Sequence, residues 1–165
     1  AGDDFATRIG LHTGLVLVGN IGSDIRFNFT AIGDSVNLAS RLEGLNKQFK
    51  TRIIASETTV LAAGSFVESR RIGRVRVKGR SEPIGIYEPL GETGDFGRPG
   101  EEACRIFAEA MELFDSASFE KAKALFDNLS SDSGDLTSGV YAQVCERYML
   151  EPPENFDGVI TFTTK

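Results

Sequence analysis

Tryptophan is absent from the 165 residues, histidine occurs once, and cysteine and methionine occur twice each. The two cysteines, Cys104 and Cys145, have no metal-ligand spacing and are too few for a disulfide scaffold. Both are therefore read as buried thiols in a reducing compartment. Positive charge is the minority: 18 Lys and Arg stand against 24 Asp and Glu, for a net charge of -6. Nucleic-acid surfaces need clustered Lys and Arg to displace counterions from phosphates, so nucleic acid is excluded as a partner and any polyanion site must be local. No apolar run approaches the ~20 residues that cross a bilayer, and the first residues lack the basic and apolar pattern of a signal peptide. The chain as written is expected to be soluble. A lone histidine beside a tight turn is structural far more often than catalytic, so His12 is assigned no role. Gly19 to Gly22 is not followed by Gly-Lys-Ser/Thr, which excludes a Walker-type phosphate loop.

What is present alternates between β and α signals. Arg8 to Leu11 and Leu15 to Val18 are β-rich runs joined across His12-Thr13-Gly14, and the fully apolar second run suits a strand covered on both faces. Arg26 to Ile32 reads as another strand. Gly33-Asp34-Ser35 then starts a helix to about Phe49, with Leu38, Leu42, Leu45 and Phe49 at the spacing of one buried stripe and Asn37, Arg41 and Gln48 on another face. Arg52 to Ala55 reads as a strand, Ser56 caps a short helix to Ala63, and Phe66 to Tyr87 forms a two-stranded ribbon turning at Lys78-Gly79-Arg80-Ser81. This order predicts an α+β fold, an α/β sandwich.

Composition changes after Leu90. Residues 91–100 hold four glycines and a proline in a polar stretch typical of a linker, so residues 1–90 are read as one unit and 101–165 as a helical tail. Glu101 to Phe114, Phe119 to Leu129 and Ser138 to Leu150 are its helical segments, with Ala108, Phe114, Phe119, Ala122, Leu125 and Phe126 as apolar contacts. The tail resembles one tetratricopeptide-like hairpin plus a helix. Such repeats need ~3 copies to bury a continuous core, so the tail is expected to dock on something else. Glu101 and Glu102 supply favourable first-turn charge rather than a metal site, and Val159 to Phe162 is read as a short edge strand.

Four blocks carry a family resemblance: Arg8-Ile-Gly-Leu-His-Thr-Gly14, Val18-Gly-Asn-Ile-Gly-Ser23, Phe29-Thr-Ala-Ile-Gly-Asp-Ser-Val-Asn-Leu-Ala-Ser-Arg-Leu-Glu43 and Val75-Arg-Val-Lys-Gly-Arg80. In order and spacing they resemble the C-terminal half of class III adenylate and guanylate cyclase catalytic domains, over roughly residues 7 to 90. The resemblance implies a partial ferredoxin-like cyclase fold and a head-to-tail homodimer with composite sites. It also implies ATP as substrate, with cyclic AMP and pyrophosphate as products. By the family pattern Asn37 holds the ribose, Arg41 stabilises charge on the α-phosphoryl oxygens and Lys78 meets the terminal phosphates. Thr30 helps to choose the purine, and Ala31 and Ile32 line its pocket.

The resemblance implies two divalent metal ions, Mg2+ or Mn2+, whose aspartate ligands lie upstream of this stretch in the family. Asp3 and Asp4 stand too close to His12-Thr13-Gly14 to be those ligands. The expectation is therefore an adenylate cyclase active as a full-length dimer in the cytoplasm, with an upstream sensor or membrane domain, and a chain inactive by itself. Open sheet edges and an uncovered apolar face on residues 8 to 87 are expected to recruit partners. The alternatives are a guanylate cyclase and a regulatory module that keeps the cyclase shape without its chemistry. Degenerate halves of the latter kind tend to lose the Asn and Arg of the helix, and both are present.

Overall fold

A computed structural model describes residues 7–23, 26–77, 82–97 and 99–160. The fold is α+β. Its strands are β1 (Ile9–Leu11), β2 (Leu17–Ser23), β3 (Arg26–Ile32), β4 (Ile53–Ser56), β5 (Val67–Val75) and β6 (Ile84–Glu92), and its helices are α1 (Asp34–Phe49), α2 (Glu57–Ala63), α3 (Glu101–Asp115), α4 (Phe119–Asp132) and α5 (Leu136–Leu150). One sheet has the order β1-β4-β6-β5, with β1 parallel to β4 and the other neighbours antiparallel. Among the described residues β2 and β3 pair only with each other, as a separate antiparallel hairpin.

Helix α1 lies on β1 and β4 with Leu38, Leu42, Leu45 and Phe49 buried, the stripe expected from its period. Two features set its position. Gly10 allows close approach, since a Cβ there would collide with the Ala39 carbonyl oxygen and the Glu43 nitrogen. Asn46 fastens the contact: its Nδ2 donates to the carbonyls of Ile9 at 3.0 Å, Glu43 at 3.1 Å and Leu42 at 3.3 Å, and its Oδ1 accepts from the Thr51 hydroxyl at 2.8 Å. Ser56 caps α2 as its sequence position implies, accepting from the Thr59 nitrogen.

Helices α3, α4 and α5 dock on this same chain. One apolar core joins Leu42 and Phe49 of α1, Ile54 of β4, Ile72 of β5 and Ile86 of β6 to Phe107, Phe114, Phe126 and Tyr141 of the helical layer. Tyr141 stacks on Phe126 with ring centroids 5.0 Å apart and meets Phe114 edge to face at 5.1 Å. Its hydroxyl donates to the Ile72 carbonyl and sits where a side chain on Gly73 would be, at φ 147°. Thr137 of α5 donates to the Phe49 carbonyl at 2.9 Å, tying the layer to the end of α1.

A buried ionic node completes the joint. The Arg70 guanidinium, whose side chain is 6% exposed, pairs with Glu88 at 2.7 Å and with Asp135 at 2.7 Å. It also lies 4.6 Å from the centroid of the Phe107 ring. Asp135 in turn caps α5, accepting from the Ser138 nitrogen at 3.0 Å and the Ser138 hydroxyl at 2.5 Å. Burial alone would lower the Arg70 pKa and raise that of Asp135. The hydrogen bond and charge between them outweigh it, so Arg70 is raised and Asp135 lowered. At Glu88 burial wins over the pull of Arg70 and the carboxyl is raised.

Several expectations need correction. Strand β2 begins at Leu17, not Leu15, and Leu15 to Val18 are all exposed instead of covered on both faces, in a hairpin that joins no larger sheet among the described residues. Ala108 is exposed; the buried face of α3 is Phe107, Ala110, Met111 and Phe114. Cys145 is buried but Cys104 only half-buried, and both are free thiols. The tail finds its support on its own sheet. Of the expected strand at Val159 to Phe162, Ile160 makes a single parallel bridge to Val75, and residues 161 and 162 lie outside the described residues.

Candidate functional site

The candidate site is built where β3 runs through Gly33 into α1. In the hairpin register Thr30 faces Gly19, Ala31 faces Val18 and Ile32 faces Leu17. Thr30 and Ala31 are half-buried and Ile32 is exposed. Gly33 then turns the chain at φ 143°, and its carbonyl accepts from the Val36 and Asn37 nitrogens at 3.2 and 3.3 Å to open the helix. The end of the strand and the first turns of α1 thus come from one short, continuous stretch.

Asn37 and Arg41 follow one helical turn apart, so they share a face. Asn37 is exposed and Arg41 half-buried, while Leu38 and Leu42, each one residue further on, are fully buried against the sheet. The helix therefore offers an amide and a permanent cation outward from a rigidly anchored stripe. An amide can both donate to and accept from hydroxyls, and a guanidinium presents a planar fork of donors suited to phosphate oxygens. Lys78 lies outside the described residues.

His12 contacts the Ser56 hydroxyl through Nδ1 at 2.8 Å, linking the end of β1 to the cap of α2. Asn46 and the Arg70 node were missed by motif reading. Asn46 had a signal: four residues after Leu42, it is a polar residue set into an apolar stripe. Arg70 and Asp135 are 65 residues apart in sequence and had none. Among the described residues no group of three or more His, Cys, Asp or Glu side chains is placed to hold a metal ion. No helix among the described residues is long and apolar enough to cross a membrane.

Residues 1–87 match the model of a family described as the adenylate and guanylate cyclase catalytic domain. Adenylate cyclase 1 of Rhizobium meliloti (strain 1021) is 46% identical over 88 residues, which are 53% of this chain and 13% of that protein. The terminal-differentiation specific adenylate cyclase of Dictyostelium discoideum is 35% identical over 124 residues, 73% of this chain and 6% of that protein, so the likeness extends into the helical layer. The crystal structure of the adenylyl cyclase CyaB from P. aeruginosa is 38% identical and covers 55% of this chain and 45% of its own, with a TM-score of 0.47. The chain thus spans only 13% and 6% of the length of these two curated relatives.

Proposed function

The chain belongs to the adenylate and guanylate cyclase catalytic domain family, and from that premise we propose that the protein carrying it is an adenylate cyclase. It converts ATP to cyclic AMP and pyrophosphate in intracellular signalling. The observation that supports this reading is α1, which turns Asn37 and Arg41 to one face while its apolar stripe is locked on the sheet, directly after Thr30, Ala31 and Ile32.

In the reaction the ribose 3'-oxygen loses its proton and forms a bond to the α-phosphorus as the bond to the pyrophosphate oxygen breaks. Asn37 hydrogen-bonds the ribose and fixes the attacking oxygen. Arg41 donates to the α-phosphoryl oxygens, where negative charge grows in the transition state; a fixed cation favours that state over the ground state. Thr30 offers a hydroxyl to the purine edge, Ala31 and Ile32 border the base, and Lys78 neutralises the terminal phosphates. The family uses divalent metal, and in this reading two ions, Mg2+ or Mn2+, are held by aspartates that precede this stretch in the parent protein.

The working unit is a homodimer in the cytoplasm. Residues 1–90 form its cyclase part, 91–100 connect, and 101–165 are an extension with tetratricopeptide-like character. A guanylate cyclase is the second reading, because the Thr30 hydroxyl can donate or accept and so discriminates purines only modestly. The test is production of both cyclic nucleotides by the full-length parent, as wild type and Arg41→Ala. Removal of the guanidinium is expected to lower cyclic AMP formation by about two to three orders of magnitude. Cyclic GMP as the main product would move the assignment to guanylate cyclase. No product from either folded protein would favour a non-catalytic regulatory module.

A further inference from the structure

The helical layer has an outer face as well as the one it lays on the sheet. There α3 and α4 enclose a groove of about 450 Å³. The apolar stripe of α3 is wider than the core uses: Phe107, Ala110, Met111 and Phe114 are buried, while Ala103 and Ile106 on its margin stay partly open and line the groove with Leu125 of α4. Three carboxylates stand around this floor, Glu102 and Glu109 on α3 and Asp132 on α4, and no lysine or arginine among the described residues lines it. Arg105 is engaged by Glu102 at 2.6 Å, and Glu109 and Asp132 form no ion pair among the described residues. Asp132 is also the last residue of α4, whose final turn carries no basic side chain. A helix C-terminus bears partial negative charge, so a carboxylate there is unfavourable until a cation approaches it.

We propose that this groove is a docking site for a basic amphipathic helix of a partner protein, whose apolar side lies on Ile106 and Leu125 and whose Lys or Arg side chains pair with Glu109 and Asp132. Two adjacent helices with an apolar seam form a natural seat for a third, and the acidic margins select its charge. A second copy of this chain does not supply the match. Charges balance in α1, with Asp34 and Glu43 against Arg41 and Lys47, and in α5, with Glu146 against Arg147, while α2, α3 and α4 are net negative. Neither Asn37 nor Arg41 lines the groove, so the proposal does not depend on the cyclase reaction.

The sequence supplies its own reporter, since Ile106 is the one isoleucine between residues 101 and 150. The full chain, with isotope-labelled isoleucine methyls, is titrated by NMR with a peptide of leucine and lysine, about four helical turns long and patterned to the helical period. Two peptides of equal length are titrated in parallel: one with glutamate in place of lysine, and one with the same leucines and lysines in an order that gives no apolar face. The patterned basic peptide is expected to shift the Ile106 methyl saturably and to leave Ile72 and Ile86 of the sheet in place. The unpatterned peptide should bind about tenfold more weakly and the acidic peptide not at all. Glu109→Lys combined with Asp132→Lys, both at exposed positions, should weaken binding by about tenfold or more, since each lost ion pair is worth up to about fivefold. Glu151→Lys combined with Glu154→Lys makes the same change in net charge at exposed positions outside the groove and should leave affinity within about twofold. No response at Ile106, an equal response to the acidic or unpatterned peptide, or equal weakening by the two double variants would each overturn the proposal. So would an Ile106 shift that grows with protein concentration alone, which would make a second copy the occupant.

Discussion

The β2–β3 hairpin and the α3–α5 layer are both rich in large apolar side chains, yet Leu15 and Phe29 in the first region are 95% and 76% exposed, whereas Phe107, Phe114, Phe126 and Tyr141 in the second are at most 1% exposed. Hydrophobicity does not separate them. The helical layer has a sheet to lie on within its own chain and an ionic node to fix its position. The hairpin pairs only with itself among the described residues, so its side chains have no second layer to enter. Exposed apolar surface of this kind calls for a further layer of protein to cover it.

The sharpest way to break the contrast is to remove the node. Arg70→Ala leaves the Glu88 and Asp135 carboxylates buried without their cation and is expected to destabilise the fold by about 3–5 kcal/mol, read from urea unfolding followed by circular dichroism. Asp135→Asn removes one charge while leaving an acceptor to cap α5, with a smaller loss and a distinctive pH signature. The Asp135 pKa lies below its ordinary value of 3.8 in the folded protein, so its contribution is complete above that value and lost as pH falls through the folded pKa. Wild type and variant should therefore differ most at neutral pH and converge in strong acid. Glu88 works in the opposite direction, since its raised pKa removes stability as pH climbs above 4.5.

Smaller effects are expected further down the series. Tyr141→Phe keeps the ring stacked but takes away the hydrogen bond to the Ile72 carbonyl, for a loss of about 1–2 kcal/mol in the same assay. In the hairpin, Phe29→Ser should change unfolding stability by less than about 0.5 kcal/mol, because that ring stays mostly exposed in the folded single chain. If Phe29→Ser matched Tyr141→Phe in size, the two regions would not differ as described.

Legibility in the sequence follows the same division. Helix α1 was readable in extent, stripe and the shared face of Asn37 and Arg41, because a helical period is a local property recorded in consecutive residues. The Ser56 cap and the β5–β6 pairing were readable for similar reasons. Leu15 to Val18 misled, since an apolar run shows what a segment would bury but not whether anything is there to bury it. The same limit applies to α3: the sequence points to an apolar helix face, and only packing on β5 decides that Phe107 and Met111 turn inward while Ala108 turns out. The Arg70–Asp135 pairing joins residues from a strand and a helix cap, and no local pattern links them.

Gly10 sets a limit on how this stretch can drift. The obstacles to a side chain there are backbone atoms, the Ala39 oxygen and the Glu43 nitrogen, which cannot swing aside as a neighbouring side chain might. No compensating change on α1 can therefore make room, because every residue type brings the same backbone. Position 10 is closed unless strand and helix separate together, and with them the anchoring of the helix that bears Asn37 and Arg41.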